Sequence, residues 1–184
     1  LEFRRVLFRS LIFRELKEYK ESLAAYSKAI LLKPNYAEAY NNKGITNRYF
    51  EKYQDSLNDY SKAIEINPKY AEAYNNRSII YLFKKEFKRA YNDCCSAIEL
   101  NSIYPEAYYN RGKVSMEVGQ LDRAVLDFNL AINLKKNYSH AYYSRGMVFF
   151  ILKKYKDSIN DFSTAIKLDK EFQHSRSEEH TSEL

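Results

Sequence analysis

AEAYNNKG begins at Ala37, AEAYNNRS at Ala71, PEAYYNRG at Pro105 and SHAYYSRG at Ser139, so one octapeptide returns every 34 residues. Between these octapeptides a second motif recurs as SKAIEINP, CSAIELNS, NLAINLKK and STAIKLDK. A fixed period of this length is typical of an array of stacked structural units. We therefore number each unit from position 1 at the four starts, and every position below refers to that register.

The spacing of apolar residues inside a unit predicts two helices, A and B. Apolar or small residues fall at positions 3, 4, 8 and 10, and again at 17, 21, 24, 27, 28 and 30. This is the period of amphipathic helices, each of roughly 14 residues, separated by a short turn. Position 27 is always Ala, and position 8 is Gly or Ser, so the two helices can approach closely. Because alternation of period two is absent, the fold class is all-α.

These positions resemble the tetratricopeptide repeat family. Its pattern has aromatic residues at 4, 11 and 24, Gly at 8, Ala at 20 and 27, and Pro at 32. The chain has Tyr at position 4 of all four units and Pro34 and Pro68 at position 32. It departs from the pattern at Asn47 and Ser115 (position 11), at Cys94 (position 24), and at Ser102, Lys136 and Lys170 (position 32). The resemblance implies a right-handed α-solenoid of stacked antiparallel helix hairpins. In that fold the A helices line a concave groove.

The two ends of the chain are interpreted as translated sequencing-adapter sequence. A coding sequence for Arg176–Leu184, read on the opposite strand, translates to Glu2–Ser10 without a mismatch. The resulting organisation is an adapter-derived segment at 1–10, a partial repeat at 11–36, full repeats at 37–70, 71–104, 105–138 and 139–172, the start of a further unit at 173–175, and an adapter-derived segment at 176–184. Val6, Ser10 and Phe13 fall at positions 4, 8 and 11, so a false helix could be drawn over the first segment.

Helix-A positions 2, 5, 6, 9 and 13 share one stripe, which we expect to face the groove. The Asn residues at position 6 form an amide ladder that can pair with the backbone of an extended peptide. The alternative is that Asn is simply a solvated helix residue. The candidate peptide-binding groove comprises Asn41, Asn42, Ile45, Tyr49, Asn75, Asn76, Ile79, Phe83, Tyr109, Asn110, Lys113, Tyr143, Ser144 and Met147.

A basic residue at position 7 and an aspartate at position 23 recur in step. We expect each pair to form a structural ion pair across the hairpin, with the aliphatic part of the cation packed. The alternative is a basic stripe that contacts phosphate or an acidic ligand. The residues are Lys43 and Asp59, Arg77 and Asp93, Arg111 and Asp127, and Arg145 and Asp161.

One known function of the family is not supported. Co-chaperone members hold the C-terminal carboxylate of a chaperone with Lys and Asn at 5 and 9 of one unit, Asn at 6 of the next, and Lys and Arg at 2 and 6 of the third. The corresponding residues here are Asn41, Ile45, Asn76, Glu106 and Asn110. Only Asn76 fits, and Glu106 would repel a carboxylate.

Composition and motifs exclude several other classes. Two adjacent cysteines, Cys94 and Cys95, cannot form a disulfide framework, and no apolar run has the length of a membrane span. His140 and His174 lack partners at metal-ligand spacing, and no phosphate-binding or nucleophile motif occurs. We therefore expect no enzyme activity, cofactor or metal. The predicted location is cytoplasmic.

The sequence thus predicts a protein–protein interaction scaffold that binds an extended or helical peptide segment in the helix-A groove. The alternative is a regulatory or targeting arm of a larger enzyme. An RNA-binding repeat, suggested by the net charge of +6 and 18 tyrosines, is disfavoured because related RNA-reading repeats are one residue longer. The expected partner is a protein or peptide, with self-association through the array ends as a further mode; a membrane partner is not expected, and nucleic acid is disfavoured.

Overall fold

The computed structural model describes the backbone of residues 2–182 and the side chains of residues 2–169. The chain divides into two compact units, residues 1–102 and residues 103–184. Side chains of the expected further unit at 173–175, including His174, and of the segment 176–184 lie outside the described residues.

The first unit consists of helix hairpins that stack in chain order. Within each hairpin the two helices contact each other, and helix B also contacts the next helix A. Successive A helices touch as well. The helices are α1 (Glu2–Glu15), α2 (Tyr19–Leu32), α3 (Ala37–Tyr49), α4 (Tyr53–Ile66), α5 (Ala71–Phe83) and α6 (Phe87–Leu100).

The second unit repeats this arrangement in two hairpins, α7 with α8 and α9 with α10. Its helices are α7 (Pro105–Glu117), α8 (Leu121–Leu134), α9 (Ser139–Ile151) and α10 (Tyr155–Ser182). Helix A of each full repeat has 13 residues, and α4, α6 and α8 have 14. The prediction of an all-α fold built from stacked helix hairpins is therefore confirmed.

The turn from helix A to helix B depends on one left-handed residue at position 15. The residues there are Lys17, Glu51, Lys85, Gly119 and Lys153, with φ between 58° and 77°. In the repeat at 37–70 the N–H of Lys52 donates to the carbonyl of Asn47 at 2.8 Å, and the N–H of Glu51 donates to that of Arg48 at 3.0 Å. These bonds close helix A in the manner of a Schellman motif.

The turn from helix B back to helix A has an extended residue at position 31. Asn67 (φ −132°, ψ 91°) precedes Pro68, and a residue before proline is restricted to such conformations. Lys135 adopts nearly the same angles (φ −135°, ψ 92°), although Lys136 follows it. The turn therefore does not require proline, which explains why the departure at position 32 leaves the fold intact.

Small residues allow the two helices of a hairpin to pack closely. A Cβ added to Gly44 would lie 2.7 Å from the Tyr60 ring, and one added to Gly112 would lie 2.8 Å from the Phe128 ring. The repeat at 71–104 instead combines Ser78 at position 8 with the smaller Cys94 at position 24. The unusual cysteine therefore accompanies the larger residue at position 8.

Candidate functional site

The helix-A face of the first unit carries exposed aromatic side chains at position 13. Tyr49 is 55% exposed and Phe83 is 63% exposed. Each ring lies beside the position-17 ring of the preceding repeat. The Phe83 ring centroid is 4.5 Å from that of Tyr53, and the Tyr49 ring stacks with the Tyr19 ring at 6.3 Å between centroids. Their exposed surfaces can receive apolar groups of a ligand.

The asparagines of this unit differ in accessibility. Asn41 and Asn75, at position 5, are buried. Asn76 at position 6 donates through Nδ2 to Oδ1 of Asn41 at 3.0 Å, so this bond joins α5 to α3. Asn42 is half-buried and lines an open pocket. At least part of the amide ladder is therefore engaged in contacts between repeats.

The pocket has a volume of about 460 Å³ and lies where the C-terminal parts of α1 and α3 meet the start of α2. Three of its lining residues, Asn42, Ile45 and Tyr49, belong to the groove expected from the sequence. The others are Arg14, Glu15, Lys17, Tyr19 and Arg48. All eight lie within residues 11–49, outside the segments interpreted as adapter-derived.

In the second unit position 6 is more buried than in the first, whereas position 5 is more exposed. Tyr109 packs 5.9 Å from the Phe128 ring and 5.1 Å from the Tyr138 ring. Asn110 and Ser144 are buried at 7% exposure each, whereas Tyr143 and Met147 remain exposed. Lys113 is half-buried, and its Nζ lies 5.7 Å from the centroid of the Tyr109 ring. In the first unit Ile79, at the same repeat position as Lys113, is also half-buried.

Each basic residue at position 7 contacts the aspartate at position 23 of its own repeat. Lys43 Nζ donates to Asp59 at 2.9 Å. The three arginines instead make forked contacts through Nε and Nη2, at distances between 2.7 and 3.0 Å. The aspartates are buried, and the forked pairs are Arg77 with Asp93, Arg111 with Asp127, and Arg145 with Asp161.

Asn47 completes the pair in the repeat that has lysine. A lysine is a point charge and cannot engage both carboxylate oxygens in the way that a guanidinium does. Asn47 Nδ2 donates to the second oxygen of Asp59 at 2.7 Å. Burial nevertheless raises the pKa of Asp59, and the bonds from Lys43 and Asn47 offset only part of that effect. The departure at position 11 therefore has a structural role.

A second recurrent feature, missed at the sequence level, is a tyrosine at position 34. Tyr36, Tyr70, Tyr104 and Tyr138 each stand at the N-cap of helix A without a side-chain capping bond. Tyr70 packs against the cluster of Ala37, Ala63 and Ala73. Burial raises the pKa of Tyr70 to about 12. The period of 34 was the signal that could have identified this tyrosine as part of the core.

The residues that the structure describes contain no cluster of three or more His, Cys, Asp or Glu side chains suited to a metal ion. His140 is exposed, and Glu106, which stands at a position of the co-chaperone clamp, accepts a bond from Lys135 at 3.2 Å. Among the described helices, none combines the length and the apolarity needed to cross a bilayer.

Family models match residues 11–91 and 105–172 of the chain. A model described as TPR repeat matches residues 11–48, and models described as tetratricopeptide repeat match residues 37–70, 59–91, 105–138 and 139–172. The chain belongs to the tetratricopeptide repeat family. Proteins with this fold serve in general as protein-interaction scaffolds. No curated protein sequence matches the chain at a significant level.

Solved structures of tetratricopeptide repeat proteins are similar in fold. MamA is 23% identical with a TM-score of 0.76, over 90% of this chain and 96% of MamA. YrrB, described as a TPR protein with an unusual peptide-binding site, is 20% identical with a TM-score of 0.68, over 97% of this chain and 91% of YrrB. A thermophilic TPR protein from Thermus thermophilus, TTC0263, is 16% identical with a TM-score of 0.78, over 97% of each chain.

Proposed function

We propose that this tetratricopeptide repeat chain is a scaffold that binds an extended or helical segment of a partner protein on the helix-A faces. The observation that carries this proposal is the pocket of about 460 Å³ on the first unit, because three of the expected groove residues line it together. Its lining combines amide, aromatic and apolar surface with charged side chains, which suits a peptide that has both hydrophobic anchors and polar groups.

The accessible residues of the face are the proposed contacts. In the first unit these are Asn42, Ile45, Tyr49, Asn76, Ile79 and Phe83, and in the second they are Tyr109, Lys113, Tyr143 and Met147. Asn41, Asn75, Asn110 and Ser144 are buried, so they support the face instead of forming its outer surface. The description of YrrB as having a peptide-binding site supports a peptide as the class of ligand.

An array of immobilised random peptides tests the proposal, followed by fluorescence anisotropy with each peptide that binds. Because an aromatic residue at the centre of an interface commonly contributes about 2 kcal/mol or more, Tyr49→Ala is expected to weaken binding roughly 30-fold. Circular dichroism checks that the variant keeps its helices.

The matched control is Leu126→Ala. Leu126 is 62% exposed, but it lies on helix B of the second unit. Leu126→Ala should leave the affinity for each peptide unchanged. If no peptide binds, or if Tyr49→Ala and Phe83→Ala bind as well as the unaltered chain, the helix-A face is not the interaction surface.

A further inference from the structure

Two arginines at the same repeat position line the pocket of the first unit. Arg14 in α1 and Arg48 in α3 both stand at position 12 of consecutive repeats, and both line the wall of the pocket. Arg14 Nη1 and Arg48 Nε are buried, and neither has a hydrogen-bond partner among the described residues. Both atoms are closed to solvent, so a ligand in the pocket meets the accessible parts of these side chains instead: the Arg14 side chain is 17% exposed and Arg48 is half-buried.

The charge of the pocket favours an anion. Lys17 adds a third cation to the wall, and Glu15 is the one carboxylate among the lining residues. Glu15 is largely exposed and accepts a bond from Arg14 Nη2 at 3.2 Å, which leaves the buried Nη1 unsatisfied. Three cations against one carboxylate give the pocket a net positive charge.

The aromatic side chains fix the position of one arginine. The Arg48 guanidinium carbon lies 5.0 Å from the centroid of the Tyr49 ring, in a cation–π contact. Tyr49 in turn stacks with Tyr19, and Ile45 adds apolar surface. The cationic group and the apolar wall are therefore neighbours in one concave site.

We infer that this pocket is a subsite for an aspartate or glutamate side chain of the partner segment. Arg14 and Arg48 donate to its carboxylate, while an adjacent apolar residue of the segment packs on Ile45 and Tyr49. The net positive charge of the pocket would attract a phosphate as well, so the test compares a phosphopeptide with its acidic counterpart. The inference rests on the proposed function, since it describes how a bound segment is selected.

This subsite is distinct from the carboxylate clamp considered above. The clamp positions are 2, 5, 6 and 9, whereas both arginines stand at position 12. In the remaining repeats position 12 is Leu82, Met116 or Phe150. The arrangement therefore selects for an acidic residue at one place along the bound segment.

The test uses peptides that bind in the array, resynthesised with blocked ends. Each acidic residue is replaced singly, Glu by Gln or Asp by Asn, and affinity is measured on the unaltered chain. One such replacement is expected to weaken binding about 10- to 100-fold, as expected for loss of a charge-assisted hydrogen bond. Arg14→Gln and Arg48→Gln should each lower the affinity for the acidic peptide, and they should change the affinity for its neutral counterpart little.

Arg123→Gln is the matched control. Arg123 is exposed on α8 and donates to Gln120, and its replacement lowers the net charge by the same amount as Arg14→Gln or Arg48→Gln. Its affinity should equal that of the unaltered chain. If peptides bind and depend on Tyr49, but neutral replacements and both arginine variants bind equally well, the carboxylate subsite is wrong and the proposed function stands. Dependence on a free C-terminal carboxylate alone, or a phosphopeptide that binds more tightly than its acidic counterpart, would also overturn the side-chain assignment. Failure of every peptide to bind overturns both proposals.

Discussion

At the scale of single residues, Tyr60 is expected to make the free energy of unfolding fall as the pH rises into the alkaline range. Burial raises the pKa of Tyr60 to about 12, whereas the hydroxyl of an unfolded chain ionises near its ordinary value of about 10. The unfolded state therefore loses this proton first. The contribution of Tyr60 is complete below pH 10 and is lost as the pH rises towards 12.

We expect Tyr60→Phe to retain roughly 2 to 3 kcal/mol more of its free energy of unfolding than the unaltered chain between pH 9 and pH 12. Phe fits this position in the repeats at 105–138 and 139–172, and the hydroxyl of Tyr60 has no hydrogen-bond partner among the described residues. Urea denaturation at a series of pH values measures the difference. Equal losses in the two proteins would show that Tyr60 does not retain its proton in the folded state.

The sequence carries a signal for a residue's role where two positions recur together. A cation at 7 and an aspartate at 23 stand in every full repeat, and the two side chains are in contact in each of them. The role of Asn47 could not be predicted, because the sequence does not reveal that position 11 reaches Asp59 across the hairpin. For the same reason Asn41 was assigned to the open face: helical periodicity places positions 5 and 6 on one stripe, but only packing between repeats buries the first.

At the scale of helices and turns, position 15 is where backbone conformation and residue type disagree. Glu51 has a φ of 58° and is exposed, although a left-handed conformation disfavours residues with a Cβ. Gly119 occupies the equivalent place at 77°. We expect Glu51→Gly to stabilise the protein by about 0.5–1 kcal/mol, because relief of strain exceeds the added freedom of the unfolded chain.

The reciprocal change is Gly119→Ala, and it should cost about 1 kcal/mol. A Cβ at Gly119 would meet nothing within 4 Å, so the cost is conformational and not steric. Thermal and urea denaturation of both variants measure the two effects. A destabilised Glu51→Gly protein would mean that the Glu51 side chain contributes more than its backbone strain removes.

The number of helices in each repeat and their length of roughly 14 residues were predictable, since apolar spacing, the small residue at 8 and the alanine at 27 all repeat. The left-handed residue was not, because Lys and Glu carry no signal for that conformation. Proline at position 32 suggested where helix B ends, yet the same extended turn forms without it at Lys135. Repetition supplied the element boundaries, and local residue preference supplied little more.

At the scale of the whole molecule, stability should be distributed repeat by repeat. Within the first unit, helices contact their neighbours in the chain and the next helix of the same type. Such an array behaves as a sum of local stabilities and nearest-neighbour interfaces. Tyr26 in α2 is fully buried, so Tyr26→Leu perturbs one end of this unit.

We expect Tyr26→Leu to cost about 2 kcal/mol and to lower hydrogen-exchange protection most in α2 and α3, with a smaller effect in α5 and α6. Amide exchange followed by mass spectrometry measures this gradient. An equal loss of protection from α2 to α6 would instead indicate one cooperative unit.

The paired use of Lys43 with Asn47 has a consequence for engineering by consensus. Averaging the four full repeats would place arginine at position 7, and the family pattern would restore an aromatic at position 11. Arginine at position 7 alone would leave Asn47 in place, but a designer who kept the lysine and restored the aromatic would leave one oxygen of Asp59 without its donor. An aromatic residue at position 11 therefore has to be introduced together with arginine at position 7 of the same repeat.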